Sequence, residues 1–463
     1  MAKKHWLVVG GGFRGIMAAH SLAQRGFQVT LVEAAPVLGG VLYSMEWDGF
    51  VIDKGCHLFD NATDELTRVL FELTPQDTFS PVEVSYASAL APDHVSRGLA
   101  IVDLNPFDLG FRSQALWEIL NAAADHSSGE ENFSVHLADR MNNRFGSLVG
   151  EALQSAFGKV YQIPADQVSA DALDLTVFKR VGLVPDRMGL MLKQMPALDD
   201  RLAVSSQSNP MMFYQDGKGY GHRNLYPKSG GLRSWCRLAA DRLVEAGCRL
   251  RLGHKILGLN MVGGRVAVQL GQGSAVCNDM MHVDQVLWAA GPDYLEQCLF
   301  HTCEIETLIH KVPMVLYYFK VSPKQFSGLT YMHDFRSNTL GYRFSAPGLY
   351  GRQYDKQGNS YACVEVPTAL GSDLWSAPEA FVRQIWAQAQ ACGLILGGDY
   401  LDAKITQTPI SYAVPKVGYG QALEFLRHAV DEAVPPMVLM SHLSFSKISI
   451  LQEIQQLLQH FES

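Results

Sequence analysis

Apolar residues fall in distinct patterns along this chain, and each pattern predicts a different element. WLVV (6–9) is a short unbroken apolar run, as a strand buried on both faces requires. IMAAHSLAQRG (16–26) places its apolar residues at helical spacing and stops at Gly26. FQVTLVE (27–33) reads as a second strand ending at Glu33. Helical periodicity returns over 133–173 and in LRSWCRLAADRLVEAG (232–247). GRVAVQL (264–270) and QVLWAAGPDYL (285–295) open with further strands. From about 300 to 405 the pattern changes to short alternating strands separated by turns: MVLYYFKV, LTYMHDF, LGYRFSAP and YACVEVP. PPMVLMSHLSFSKISILQEIQQLLQHF (435–461) predicts a last strand and a last helix.

A chain of 463 residues is long for one core and predicts at least two domains. Hydrophobic content of 48% against 18% charged residues describes a core-rich globular protein. A net charge of −8 supplies no basic field for nucleic acid or anionic lipid, which leaves a small molecule as the expected partner. None of the 8 cysteines forms a Cys-x-x-Cys pair or a Cys/His cluster of zinc spacing, so no metal site is expected. No apolar run approaches the roughly 18 residues of a membrane span. With no export signal read at the N-terminus, the expectation is a cytoplasmic protein with free thiols. The oligomeric state is left open.

The strongest chemical signal lies between the first two strands. Gly10, Gly12 and Gly15 have the spacing G-x-G-x-x-G, with Phe13 and Arg14 between them. Gly10 turns the chain from strand to helix, Gly12 lets the backbone approach a pyrophosphate, and Gly15 lets the helix pack on the strand. The helix N-terminus offers N–H groups and a positive dipole end. Glu33 follows the first glycine at the roughly 20-residue distance of a carboxylate that holds a ribose hydroxyl. Strand, glycines, helix, strand and acid in that order predict a dinucleotide site. Arg14 either adds a charge-assisted phosphate contact or points to solvent.

Glu33 and Ala34 are followed by Gly39-Gly40-Val41, and E-x(5)-G-G before a short strand resembles the FAD-binding superfamily of amine oxidases, protoporphyrinogen oxidase, phytoene desaturases and UDP-galactopyranose mutase. The resemblance implies FAD as cofactor and an α/β fold: a Rossmann-like, discontinuous FAD domain with a parallel sheet (1–85, 225–300 and 405–463). It also implies a substrate domain made of a helical insertion (86–224) and an antiparallel sheet (301–404). It places GFVIDKGCHLFD (49–60) beside the flavin ring. Gly55 would admit the backbone there, with Leu58 nearby, and His57 would donate a hydrogen bond or move a proton. The alternative is a histidine that only packs. Cys56 reads as a small core residue.

The same resemblance covers Arg144-Phe145-Gly146 and Lys159-Val160-Tyr161. It implies that Ile256 meets adenine through its backbone and that Ala290-Gly291 forms a turn against the nucleotide. Tyr342-Arg343 is similar to an element of sugar-pathway relatives. Arg343 and Lys159 are the candidates to hold an anionic group, against a solvated arginine and a snorkelling lysine. Tyr412, Pro415 and Lys416 match a Y-x-x-P segment. Ser441-His442 stands where the family has Gly-Arg or Gly-Asp, and His442 would contact the pyrophosphate. The implied function is an FAD-dependent oxidoreductase acting on a small polar, anionic substrate of the nucleotide-sugar or glycan-intermediate class. The alternatives are a non-redox flavoenzyme of the mutase type and a flavin-binding protein without catalysis.

Overall fold

A computed structural model describes residues 3–60, 64–82, 84–126, 134–205, 224–273, 275–440 and 447–459. Strand β1 (His5–Val9), helix α1 (Phe13–Gln24) and strand β2 (Gln28–Glu33) form where the apolar pattern places them. The helix starts at Phe13, before the first apolar-periodic residue, because the glycine loop itself closes its first turn: Ile16 N–H donates to Gly12 O at 3.0 Å.

β1 sits at the centre of a five-stranded parallel sheet. In order, the strands are Arg249–Leu252, β2, β1, Gln285–Trp288 and Met437–Leu439. Trp6 and Val8 enter one core, with Ile16, Leu232, Trp235 and Ile454 from the helices on that face. Leu7 and Val9 enter the other, with Ile256, Val266, Val268 and Leu423. Burial on both faces explains the unbroken apolar run, and each such side chain contributes roughly 1.5–3 kcal/mol.

A second sheet has seven strands, in the order Asp402–Pro415, Ile309–Val321, Ser360–Pro367, Arg343–Ser345, Tyr331–Asp334, Tyr86–Ala89 and Ser96–Arg97. It is antiparallel except where Tyr331–Asp334 runs parallel to Tyr86–Ala89. It also extends beyond 301–404 in both directions along the chain. One face is apolar: Tyr317, Phe319, Phe344 and Val364 pack under helix Val382–Ala391 through Ile385, Trp386 and Ala389. The period-2 alternation puts Tyr331, His333, Arg343 and Glu365 on the opposite face, with His333 across from Arg343 and Arg343 across from Glu365. That face looks toward the 53–57 turn. Helices between Leu109 and Asp199 build a third core around Phe145, Leu153, Phe157 and Phe178, closed against the sheet by Val312, Tyr342 and Val414. Among the described residues no helix is long and apolar enough to cross a membrane.

Candidate functional site

The glycine loop is built as a cradle. A Cβ on Gly15 would collide with Gly10 O, so the helix rests directly on the turn. Where Gly12 would carry a Cβ there is no atom of a described residue within 4 Å, and no described side chain caps α1. Its positive end is therefore left uncovered by the described residues. The second glycine pair closes the cradle. Gly39, in a left-handed conformation (φ 119°), donates its N–H to Gly11 O at 2.8 Å, and a Cβ on Gly40 would lie 3.5 Å from Gly12 Cα. Ala290 N would be 3.1 Å from a Cβ on Gly10, which brings Ala290-Gly291 against the first glycine. The carboxylate of Glu33 accepts from Gly11 N–H at 2.6 Å and from Ala35 N–H at 2.7 Å, which fixes it at the end of β2. Ala34 and Val41 are exposed beside it. These residues fit the pyrophosphate and ribose of FAD.

Other expected cofactor residues take different places. The Phe13 ring is buried against Phe59 and Trp235, at 6.1 and 5.6 Å between centroids. Only its backbone can therefore serve a ligand. Arg14 has the Glu453 carboxylate and the Tyr419 hydroxyl, from the C-terminal helices, as electrostatic neighbours. The expectation for Ile256 is corrected at its carbonyl, which already accepts the Tyr294 hydroxyl at 2.7 Å and the Cys298 thiol at 3.3 Å. Its side chain is in the core. His442 lies outside the described residues.

In the 53–57 turn, Gly55 (φ 91°) permits a close approach to Glu365, whose carboxylate would lie 2.8 Å from a Cβ there. Cys56 N–H donates to Glu365 Oε1 at 2.9 Å. Burial, then the charges of Lys447 and Arg343, hold the pKa of His57 down at about 3, so it is neutral. Its Nε2 lies 3.0 Å from Lys54 O, which only accepts; Nε2 therefore carries the proton and donates it there. Nδ1 is left as an acceptor. Leu58 is partly buried, and its carbonyl takes the Lys447 ammonium at 2.8 Å. Asp53 anchors the turn: it accepts from Ser44 Oγ at 2.5 Å, Tyr226 Oη at 2.5 Å and Leu232 N–H at 3.2 Å. Burial pushes its pKa up to about 6.

Arg343 is no solvated strand residue. Its Nε donates to Glu365 Oε1 at 2.5 Å and its Nη2 to Glu365 Oε2, and both side chains are largely buried. Nη1 makes no hydrogen bond among the described residues and is not sealed from solvent. Lys159 is corrected as an anion holder. Its three protons are committed to Asp334 O at 2.7 Å, Thr339 Oγ1 at 2.6 Å and Gly341 O at 3.0 Å. It ties helix Ser147–Tyr161 to the 334–341 loop.

Around Arg343 stand residues that the sequence did not single out as site residues. Tyr161, Tyr331 and Tyr412 are its electrostatic neighbours, and Tyr342 joins them. The hydroxyls of Tyr161, Tyr342 and Tyr412 make no hydrogen bond among the described residues, and none is sealed from solvent. They therefore face space that no described residue fills. Glu365 was also missed. Its signal was a lone acid inside the apolar strand YACVEVP, where a buried charge needs a partner.

Residues 15–315 match the family model of the flavin containing amine oxidoreductases. Among curated proteins the chain is similar to the carotenoid phi-ring synthase of Chlorobaculum tepidum, 50% identical over 60 residues that cover 12% of this chain and 9% of that protein. It is also similar to the coproporphyrinogen III oxidase of Bacillus subtilis, 36% identical over 59 residues, 11% of this chain and 13% of that one. The chain thus matches only about a tenth of the length of these relatives. Among solved structures, reduced UDP-galactopyranose mutase aligns over 99% of this chain and 94% of its own, with a TM-score of 0.72 at 13% identity. Putrescine oxidase bound to putrescine aligns over 99% of both chains, with a TM-score of 0.63 at 13% identity. At these identities the likeness is one of fold.

Proposed function

The chain belongs to the flavin-containing amine oxidoreductase family, whose members are FAD-dependent oxidoreductases, and from that premise we propose that it oxidises a small, polar, anionic substrate of the nucleotide-sugar or glycan-intermediate class. The observation that carries this reading is a group of polar atoms that make no hydrogen bond among the described residues, around one strand arginine: Arg343 Nη1 and the hydroxyls of Tyr161, Tyr342 and Tyr412. A buried site leaves such donors unpaired only where a ligand or water satisfies them.

Glu365 offsets the charge of Arg343. Substrate is therefore held by directed N–H and O–H donors more than by net charge, and the bidentate pair keeps the guanidinium in one plane. The α1 N-terminus and the backbone at Gly12 would hold the FAD pyrophosphate, with Glu33 on the ribose. When bound, FAD supplies a hydride acceptor. His57, neutral and fixed by Lys54 O, presents Nδ1 as an acceptor to a ligand N–H. It orients and does not carry protons.

The test begins with the visible spectrum of the purified protein and identification of the cofactor released on denaturation. The reading expects a yellow protein with about one FAD per chain, bleached anaerobically by an oxidisable nucleotide sugar. A chain that stays colourless in excess FAD would sink it. Turnover that needs prior reduction but consumes no electrons would replace it with the mutase-type reaction.

A further inference from the structure

A cluster of cations lies in the helical insertion, apart from Arg343. Arg144 is in the last turn of helix Leu137–Phe145, just before the helix Ser147–Tyr161 begins. Tyr161 is at the far end of that second helix, about 21 Å away at the usual rise per residue. Arg144, Lys179 and Arg180 converge on one carboxylate, Asp200, at 2.7, 3.4 and 3.6 Å, and Arg201 is its electrostatic neighbour. The other acids at this junction are engaged. Asp199 pairs with Lys193 at 2.6 Å, and Asp174 with Arg140 at 2.6 Å and Lys179 at 3.1 Å. Glu118 accepts from Leu148 N–H at 2.9 Å. Positive charge is therefore in local excess, in a chain whose net charge is −8.

Arg201 is only 4% exposed. Its Nε donates to Arg144 O at 3.0 Å and its Nη1 to Ala197 O. Its Nη2 makes no hydrogen bond among the described residues and is not sealed from solvent. Arg144 donates Nη2 to Asp200 and lays its guanidinium over the Phe145 ring, 5.4 Å from the centroid. Its Nη1 makes no hydrogen bond among the described residues and is not sealed, and its Nε is buried without one. Two neighbouring guanidiniums thus each keep an open N–H. Burial and the Arg144 charge pull the Arg201 pKa down to about 10. Like charges held this close call for a further counter-charge.

We propose that Arg144 and Arg201 hold an oxyanion of the phosphate class, either the free ion or the phosphate group of a small metabolite. The site is separate from the one around Arg343 and does not rest on the flavin. Guanidinium N–H groups match phosphate oxygens in geometry, and their hydrogen bonds are charge-assisted. Four cations around one carboxylate suit a dianion better than a second carboxylate. The Asp200 side chain is 42% exposed, so the junction opens to solvent beside it. Asp200 also competes: it accepts from Arg144 and repels an incoming anion. Removing its charge should therefore strengthen binding, which a merely structural network does not predict.

The test titrates inorganic phosphate by calorimetry into the full chain, saturated with FAD and freed of the excess by gel filtration. Chloride holds the ionic strength constant, so that screening does not pass for binding. Saturable binding to one site per chain is expected. Arg144→Gln should weaken it by about tenfold or more. Asp200→Asn, a near-isosteric change at a half-exposed side chain, should tighten it by about threefold or more. The folded double variant Arg343→Met with Glu365→Leu should bind phosphate as the parent does. Glucose 6-phosphate is the second probe. Tighter binding than inorganic phosphate supports a phosphorylated metabolite as the ligand, and weaker or equal binding supports the free ion. No saturable binding to the parent, an affinity that Asp200→Asn leaves unchanged or lowers, or binding lost in the Arg343 double variant would each overturn the proposal. If Arg144→Gln does not fold, the gain in Asp200→Asn still decides. A chain that holds no FAD yet gives these responses would sink the flavin reading alone.

Discussion

Arg343 and Glu365 lie opposite each other on adjacent antiparallel strands and are joined by two hydrogen bonds, with Gly55 and the Cys56 N–H pressed against the same carboxylate. This pair fastens the sheet to the 53–57 turn, so the two parts of the site share one ionic contact. Replacing Glu365 by Gln leaves a largely buried guanidinium without its counter-charge. The expected cost is about 3–5 kcal/mol in urea unfolding. The double variant Arg343→Met with Glu365→Leu should recover much of that loss while abolishing substrate binding. A single variant as stable as the parent would show that solvent already screens the pair.

Gly12 and Gly15 separate cofactor binding from folding. Gly15→Ala puts a methyl into Gly10 O and should lower both the melting temperature and the flavin content. Gly12→Ala meets no atom of a described residue within 4 Å, so the fold should keep its melting temperature. The added methyl would occupy the space proposed for the phosphates, and FAD retention on gel filtration should fall at least tenfold. Equal FAD content in Gly12→Ala and the parent would remove the pyrophosphate from this cradle.

Lys159→Met tests a structural lysine. Three acceptors lose their donor, and a cost of about 1–3 kcal/mol is expected in denaturant unfolding. At a temperature where the variant is folded, substrate affinity should change less than twofold. A large KM effect with unchanged stability would return Lys159 to the anion site.

Asp53 and His57 pull stability in opposite directions as pH changes. Asp53 titrates at about 6 in the fold against an ordinary 3.8, so the native state binds the extra proton between those values. Its contribution to stability falls as pH rises from about 4 to 6. His57 titrates at about 3 against an ordinary 6.5, so the unfolded state binds the extra proton. Its contribution rises with pH over about 3 to 6.5. Between pH 4 and 6 the two slopes offset each other. Asp53→Asn should expose the rise and His57→Gln the fall, each approaching roughly 1.4 kcal/mol per pH unit in urea titrations. Parallel profiles for both variants and the parent would refute the assignment.

Several of these features were legible along the chain. Gly10, Gly12, Gly15, Glu33 and Gly39-Gly40 act within local backbone geometry, where sterics and spacing decide what a residue can do, and the structure assembles them into one cradle. The alternation in LGYRFSAP and YACVEVP correctly marks strands. It does not say which strands pair, and so hides the bond between Arg343 and Glu365. Lys159 illustrates the opposite error: a basic residue near a tyrosine reads as an anion site until the loop at 334–341 folds back and takes all three protons.

What the sequence determined by itself was the set of elements and the dinucleotide loop, because periodicity and glycine placement act over one or two turns of chain. Tertiary structure alone decided the electrostatics of the site. The low pKa of His57 and the pairing of Arg343 depend on burial and on partners brought together by sheet register. Proton positions follow from those distances, and residue order does not encode them locally.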